Sequence, residues 1–208
     1  MKPHDPISGG EDAPTASPAY AERLASLERR GLRRFVDVQA PYRWNLRRLR
    51  LGRVLDVGCG LGRNLLSLGR DSVGVDHNPD SVGIARARGL NAYTVEGFLA
   101  SPDARPLGYD TLLYAHVLEH MPRTAAVQLV RDYMPFLKAD GRACCITPQE
   151  RGYASDATHA EFVDFDGLRS ITAEAGLDVT LTYSFPLPRV FGKLFTYNEF
   201  VMVASRRA

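Results

Sequence analysis

From residue 51 onward the 208-residue chain shows two kinds of apolar pattern. Short uninterrupted apolar runs alternate with stretches in which apolar residues recur every three or four positions. The runs predict buried strands and the spaced stretches predict amphipathic helices. In order, strands are expected at 53–57, 72–76, 92–95, 111–115, 142–147, 179–184 and 199–204, with helices at 63–68, 79–88, 123–137 and 165–175. Strands separated by helices pair in parallel and are covered on both faces. The last two runs are joined only by the loop "FPLPRVFGKLFTYN", without a crossover helix, so they are expected to pair antiparallel at the end of the sheet. The pattern therefore predicts an α/β fold, a single doubly wound, Rossmann-like domain over 51–208, with a seven-stranded, mostly parallel sheet and one antiparallel strand. Ahead of it, Tyr20, Leu24, Leu27, Leu32 and Phe35 recur at helical spacing and predict an amphipathic cap over 19–50. Residues 1–18, with Pro, Gly, Ser and Asp where a signal peptide needs an apolar run, are expected to be a disordered leader.

Composition narrows the class without naming it. An apolar content of 45%, 24% charged residues and a net charge of +2 belong to an ordinary globular chain and do not demand a nucleic-acid partner. Cys59, Cys144 and Cys145 form no disulfide framework, since two are adjacent and the third lies in a turn, so a reducing, cytoplasmic setting is expected. Nowhere do eighteen apolar residues follow one another, and no membrane partner is expected.

In open sheets of this type ligands bind beyond the carboxyl ends of the strands, where strand order reverses. The first strand leads into Asp56-Val57-Gly58-Cys59-Gly60-Leu61-Gly62, three alternate glycines that permit a tight turn and close approach of a ligand. A dinucleotide fingerprint would need its third glycine at position 63, which is Arg63, so NAD is disfavoured. Asp76, at the end of the second strand, stands where a carboxylate accepts both hydroxyls of a ribose. An adenosine-type ligand is implied, with Glu96, Gly97 and Phe98 following the third strand as an acid for an exocyclic amine and a ring for a purine.

These features, with the segments "LLYAHVLEHM" and "LKADGRACCITP" in the same order and spacing, resemble the class I S-adenosylmethionine-dependent methyltransferases from about Arg53 to the C-terminus. The resemblance implies that Gly58, Cys59, Gly60 and Gly62 hold the amino-acid end of S-adenosyl-L-methionine, with Asp56 oriented toward its ammonium. It implies Asp76 and His77 at the ribose, Glu96, Gly97 and Phe98 around the adenine, and Ala115 at the end of the fourth strand.

His116-Val117-Leu118-Glu119-His120 also matches the H-x-x-E-H signature of one class of zinc peptidases. There the motif lies on a helix, whereas here it opens on the end of a strand, which sets the peptidase aside. The pentapeptide also resembles the E-x-x-E-H segment of metal-dependent O-methyltransferases, such as those acting on the 3′ ends of small RNAs, although His116 stands where those enzymes have a glutamate. That likeness, with His159 in "SDATHAEFVDF", implies a metal set of His116, Glu119, His120 and His159, whose donors suit Zn, Fe, Mn or Co. The alternative is that Glu119 and His120 only fix the loop. A neutral imidazole in this place can accept a hydroxyl proton, which makes His116, His120 and His159 the expected catalytic residues.

The expected reaction is methylation of a hydroxyl oxygen on a small sugar, polyol or phenolic molecule. The pocket is expected to draw on Tyr42, Arg43, Trp44, Gln149, Arg151, Tyr153, Phe185, Arg189 and Tyr197. Two other readings stay open. Arginines at 29, 30, 33, 34, 43, 47, 48, 50 and 53 form a basic stretch that suits an RNA 2′-hydroxyl acceptor, and the chain could instead be a cofactor-binding partner without turnover.

Overall fold

The computed structural model describes residues 39–207, so the expected leader and the first part of the expected cap lie outside the described residues. Helix α1 (Ala40–Arg48) leads into strand β1 (Val54–Val57). There follow β2 (Val73–Asp76), α2 (Pro79–Ala87), β3 (Ala92–Thr94) and the short α3 (Val95–Leu99). Next come β4 (Tyr109–Ala115), α4 (Arg123–Tyr133), β5 (Leu137–Pro148), α5 (Glu150–Tyr153) and α6 (Phe165–Glu174), then β6 (Leu177–Phe185) and β7 (Glu199–Arg206).

The seven strands lie in the order β3-β2-β1-β4-β5-β7-β6. β7 runs antiparallel to both β5 and β6, and the remaining pairings are parallel. Strand order reverses between β1 and β4, which opens a crevice beyond their carboxyl ends.

Alternation along each strand divides the core into two layers. Leu55, Val57, Leu112, Tyr114, Ala143, Cys145, Phe200 and Met202 face α4 and α6. Val54, Leu113, Ala115, Cys144, Ile146, Val201 and Val203 face Leu46 of α1 and Leu49 just beyond it. Cys144 and Cys145 therefore point to opposite faces, and all three cysteines are free and buried.

Several boundaries differ from the sequence expectation, each for a local reason. The helix expected at 63–68 shrinks to a single 3-10 turn at Leu65–Ser67, ended by Leu68 in an extended conformation. The helix expected to reach 137 stops at Tyr133 and continues as a 3-10 turn through Pro135, which lacks the N–H to extend it. β5 starts at Leu137 and is twelve residues long. The third strand ends at Thr94 because its hydroxyl accepts from Gly97 N at 3.1 Å and starts a helix where a strand was expected to continue.

Candidate active site

The glycine turn is pinned to its neighbours. Gly58 N and Cys59 N both donate to Val75 O, at 2.8 and 3.1 Å, and Gly60 N donates to Asp76 Oδ2 at 2.7 Å. Gly58, Gly60 and Gly62 all have positive φ, at 77°, 52° and 76°. Gly74 on β2 makes room for the turn, since a Cβ there would stand 2.7 Å from Cys59 Sγ. Only a 3-10 turn follows, not a regular helix aimed at a phosphate.

Asp76 is largely buried and does more than the sequence suggested. Besides Gly60 N, it accepts from Asn78 N at Oδ1, at 2.9 Å, so one carboxylate shapes the turn and the start of α2. Each oxygen keeps a second lone pair for a ribose hydroxyl. His77 Nδ1 lies 3.6 Å from Asp76 Oδ1, at the same edge.

Asp56 is fully buried beneath the turn, and neither of its oxygens makes a hydrogen bond of good geometry. Burial pushes its pKa up to about 7; the side chain of Asn64 pulls it down and the charge of Asp76 adds to the rise. With Asp56 closed off from solvent, its charge would reach a ligand in the crevice only through space, and only above the pH at which it ionises. The Asp76 carboxylate, joined by Asp56 where that group is ionised, would repel a pyrophosphate and attract a cation. The turn therefore fits the ammonium and sulfonium of S-adenosylmethionine, and the sequence argument against NAD gains an electrostatic one.

The folded-state pKa of Asp56 lies above its ordinary value of 3.8, so its protonation favours folding at low pH, and that contribution is lost as pH rises from 3.8 to about 7. The difference amounts to roughly 4 kcal/mol. Asp56→Asn should flatten the pH dependence of stability across this range and melt above the wild type at pH 8. Above pH 7, where Asp56 is ionised, the same variant should bind S-adenosylmethionine about tenfold more weakly, because one buried negative charge is gone. Thermal melts and calorimetry across pH check both outcomes.

The adenine contacts need a correction. Phe98 is fully buried and packs edge-on to Phe136, with ring centroids 5.0 Å apart, and beside Tyr133. It belongs to the core and cannot cover a purine. The short helix α3 rotates it inward, while Glu96 stays exposed and Gly97 is half-buried.

His116 is the first residue beyond β4 and has φ 59°, an uncommon left-handed conformation for a residue with a side chain. Its Nδ1 meets Glu119 Oε1 at 3.2 Å and its Nε2 meets Glu199 Oε1 at 2.9 Å. Burial alone would lower its pKa, but the hydrogen bonds to Glu119 and Glu199 outweigh burial and raise it to about 10. Both nitrogens of His116 are thus engaged by carboxylates, which favour its charged form over the neutral base expected. Glu199 was not a candidate in the sequence, yet an antiparallel last strand necessarily delivers its first residue to the carboxyl edge.

The 3-10 turn Leu118–His120 carries the rest of the motif. Glu119 is fully buried; its carbonyl accepts from Ala160 N and Glu161 N, and its Oε2 has no hydrogen-bond partner. His120 Nδ1 faces Thr158 O at 3.2 Å and His159 Nδ1 faces Tyr153 O at 2.7 Å. A carbonyl only accepts, so both rings carry their proton on Nδ1 and present Nε2 as the basic nitrogen. The two rings lie 4.8 Å apart. Burial holds the pKa of His120 below its ordinary value, with the nearby Glu119 charge working against it. Glu119, His120 and His159 offer ligand atoms within 4.8 Å of one another; His116 does not join them. The expected four-residue metal set therefore reduces to three, because His116 is claimed by two carboxylates.

The expected acceptor residues divide. Gln149 is consumed by the scaffold: Nε2 donates to Ser184 Oγ and Glu199 O, and Oε1 accepts from Asn198 Nδ2. Arg189 forms a two-point pair with Glu150. Tyr42 donates to Tyr197 O at 2.6 Å, and its ring meets Phe185 edge-on. Of the basic stretch, Arg53 pairs with Asp103 and lies over Tyr109, and Arg48 lies over Trp44 and Tyr183. Arginines 29, 30, 33 and 34 lie outside the described residues.

No protein of curated function matches the chain in sequence. Among solved structures it is similar to an S-adenosylmethionine-dependent methyltransferase from Archaeoglobus fulgidus, at 20% identity and TM-score 0.65, over 89% of this chain and 99% of that one. It is also similar to a TehB-like S-adenosylmethionine-dependent methyltransferase from Corynebacterium glutamicum, at 22% identity and TM-score 0.64, over 92% and 100% of the two chains. A third likeness is magnesium protoporphyrin IX methyltransferase from Synechocystis with bound S-adenosylhomocysteine, at 18% identity and TM-score 0.63, over 93% and 96%. These establish a shared fold. The family model described as a methyltransferase domain matches residues 20–182, most of the chain and all of the turn and motif described above. The match covers well over half of the chain, and the chain belongs to this family as an S-adenosylmethionine-dependent class I methyltransferase.

Proposed function

We propose that the protein transfers the methyl group to a hydroxyl oxygen of a small molecule of the sugar, polyol or phenolic type, with His120 as the group that receives the hydroxyl proton. The observation behind this reading is the placement of His120 beyond β4, with its Nδ1 held against Thr158 O at 3.2 Å and its pKa lowered by burial. When bound, S-adenosylmethionine supplies a methyl group already activated by its sulfonium. The chain has then to hold the acceptor oxygen in line with that methyl, exclude water and take up one proton. His116, held as a cation by Glu119 and Glu199, orients the edge of the site.

His120→Ala is expected to lower transfer at least about a hundredfold, the usual contribution of a positioned base, with S-adenosylmethionine affinity unchanged. Methyl transfer to a panel of hydroxylated acceptors, read by mass, checks this; full activity in the variant overturns the assignment.

A metal-assisted variant of this reading is favoured by the convergence of Glu119, His120 and His159. The Oε2 of Glu119 lacks a hydrogen-bond partner, and the carbonyls of Thr158 and Tyr153 orient the two imidazoles as outer-shell acceptors do at metal centres. A divalent Zn, Fe, Mn or Co ion held there would lower the pKa of the acceptor hydroxyl. Elemental analysis before and after chelation decides between the two. Stoichiometric metal whose removal abolishes transfer supports metal assistance; metal-free active protein leaves His120 as the base alone.

A further inference from the structure

The loop between β6 and β7 and the adjoining face of α1, expected from the sequence to border the acceptor pocket, also present large apolar side chains to solvent. Val190 is 76% exposed and Leu194 75%, and Leu187, Phe191 and Tyr197 are also exposed. On α1 beside it, Trp44 is exposed and stacks on Phe185, the last residue before the loop. Tyr42 joins the two segments through its bond to Tyr197 O.

This exposure does not come from a slack loop. Asn198 Oδ1 accepts from Leu187 N, and Asn198 Nδ2 bonds to Gln149 Oε1 and Pro188 O. Gly192 is packed so closely against Gln149 and Glu150 that a Cβ could not fit. A 3-10 turn over Arg189–Lys193 then places Val190, Phe191 and Leu194 outward in sequence. A buried polar network thus holds several large apolar side chains in water, which marks an interaction surface.

The charges around it point to the partner. Residues 186–198 contain Arg189 and Lys193, and α1 contains Arg43, Arg47 and Arg48; neither segment has an acid. Glu150 meets the loop and is paired with Arg189. Apolar side chains bordered by cations, with a tryptophan and a tyrosine among them, suit the interface between headgroups and acyl chains of an anionic bilayer. No described helix is long and apolar enough to cross a membrane, so the contact is peripheral. We infer that the β6–β7 loop and the exposed face of α1 form a docking surface for anionic membrane lipid, with Val190 and Leu194 entering the interface and Lys193 and Arg47 meeting the headgroups.

Trp44 is the single tryptophan of the chain and lies in this surface, so its fluorescence reports docking directly. Full-length protein is mixed with vesicles of phosphatidylglycerol and phosphatidylcholine, or of phosphatidylcholine alone, and followed by co-sedimentation and tryptophan emission. The expected result is co-sedimentation and a blue shift with the anionic vesicles, weakened by salt and small with the neutral ones. The double variant Val190→Ser, Leu194→Ser and the single variant Lys193→Glu should each bind at least about tenfold more weakly. All three side chains are exposed, and an unchanged melting temperature and cofactor affinity show that the fold is intact. Three outcomes overturn the inference. They are absence of binding, binding undiminished in the variants, and a wild-type dimer in light scattering that the double variant turns into monomer, which would make this face a contact between two copies.

Discussion

Gly58→Ala should abolish measurable S-adenosylmethionine binding, with affinity expected to fall by at least about a hundredfold in calorimetry. Gly58 has φ 77°, and a Cβ there would stand 2.7 Å from Val117 Cγ2 and 2.9 Å from Val117 Cβ. A left-handed backbone costs an L-residue roughly 1–2 kcal/mol, and forcing a methyl into a packed contact costs about 1–3 kcal/mol more. Val117 sits next to His116, so the turn can relax only by moving the cofactor loop or the motif beyond β4. Gly89→Ala separates strain from position. Gly89 also has φ 77° but nothing within 4 Å of its Cβ position, so the variant should lose about 1 kcal/mol of stability and keep its cofactor affinity.

The second large effect is expected at His116. His116→Ala leaves the buried Glu119 without a hydrogen bond to either carboxylate oxygen, since Oε2 has none already. Breaking a fully buried pair costs about 3–5 kcal/mol, but the His116 side chain is 44% exposed, which lowers the expectation to about 2 kcal/mol. The pH dependence has a definite sign. The pKa of His116 is raised on folding from 6.5 to about 10, so its contribution is full below 6.5 and is lost as pH rises through about 10. Wild-type stability should therefore decline on the alkaline side, and that decline should be absent from the variant. His116→Gly should recover roughly 1 kcal/mol relative to His116→Ala, because glycine accepts φ 59° without strain. Urea denaturation from neutral to alkaline pH measures all three quantities.

The sheet was legible in the sequence because its strands are apolar on both faces, and the antiparallel end followed from a loop with no room for a crossover helix. The turn formed by Asp56, Asp76 and the glycines was legible because its geometry is local to one stretch of chain. Phe98 was misplaced because a single threonine hydroxyl converts a continuing strand into a helix and reverses which side chain points inward. The protonation state of His116 could not be read from its neighbours in sequence, because Glu199 lies 83 positions away and arrives only through the antiparallel pairing. His120 and His159 were correctly suspected of meeting, but their tautomers depend on two backbone carbonyls that no motif encodes.

The direction of β7 has a practical corollary. Its eight residues run from Glu199, at the edge where the chemistry occurs, to Arg206 at the far edge, about 25 Å away. There the Arg206 guanidinium is anchored by the carbonyls of Met134, Leu137 and Lys138. A fluorophore or surface tether attached at this edge leaves the crevice facing solution, which makes the far end of β7 the place to immobilise the protein for acceptor screening.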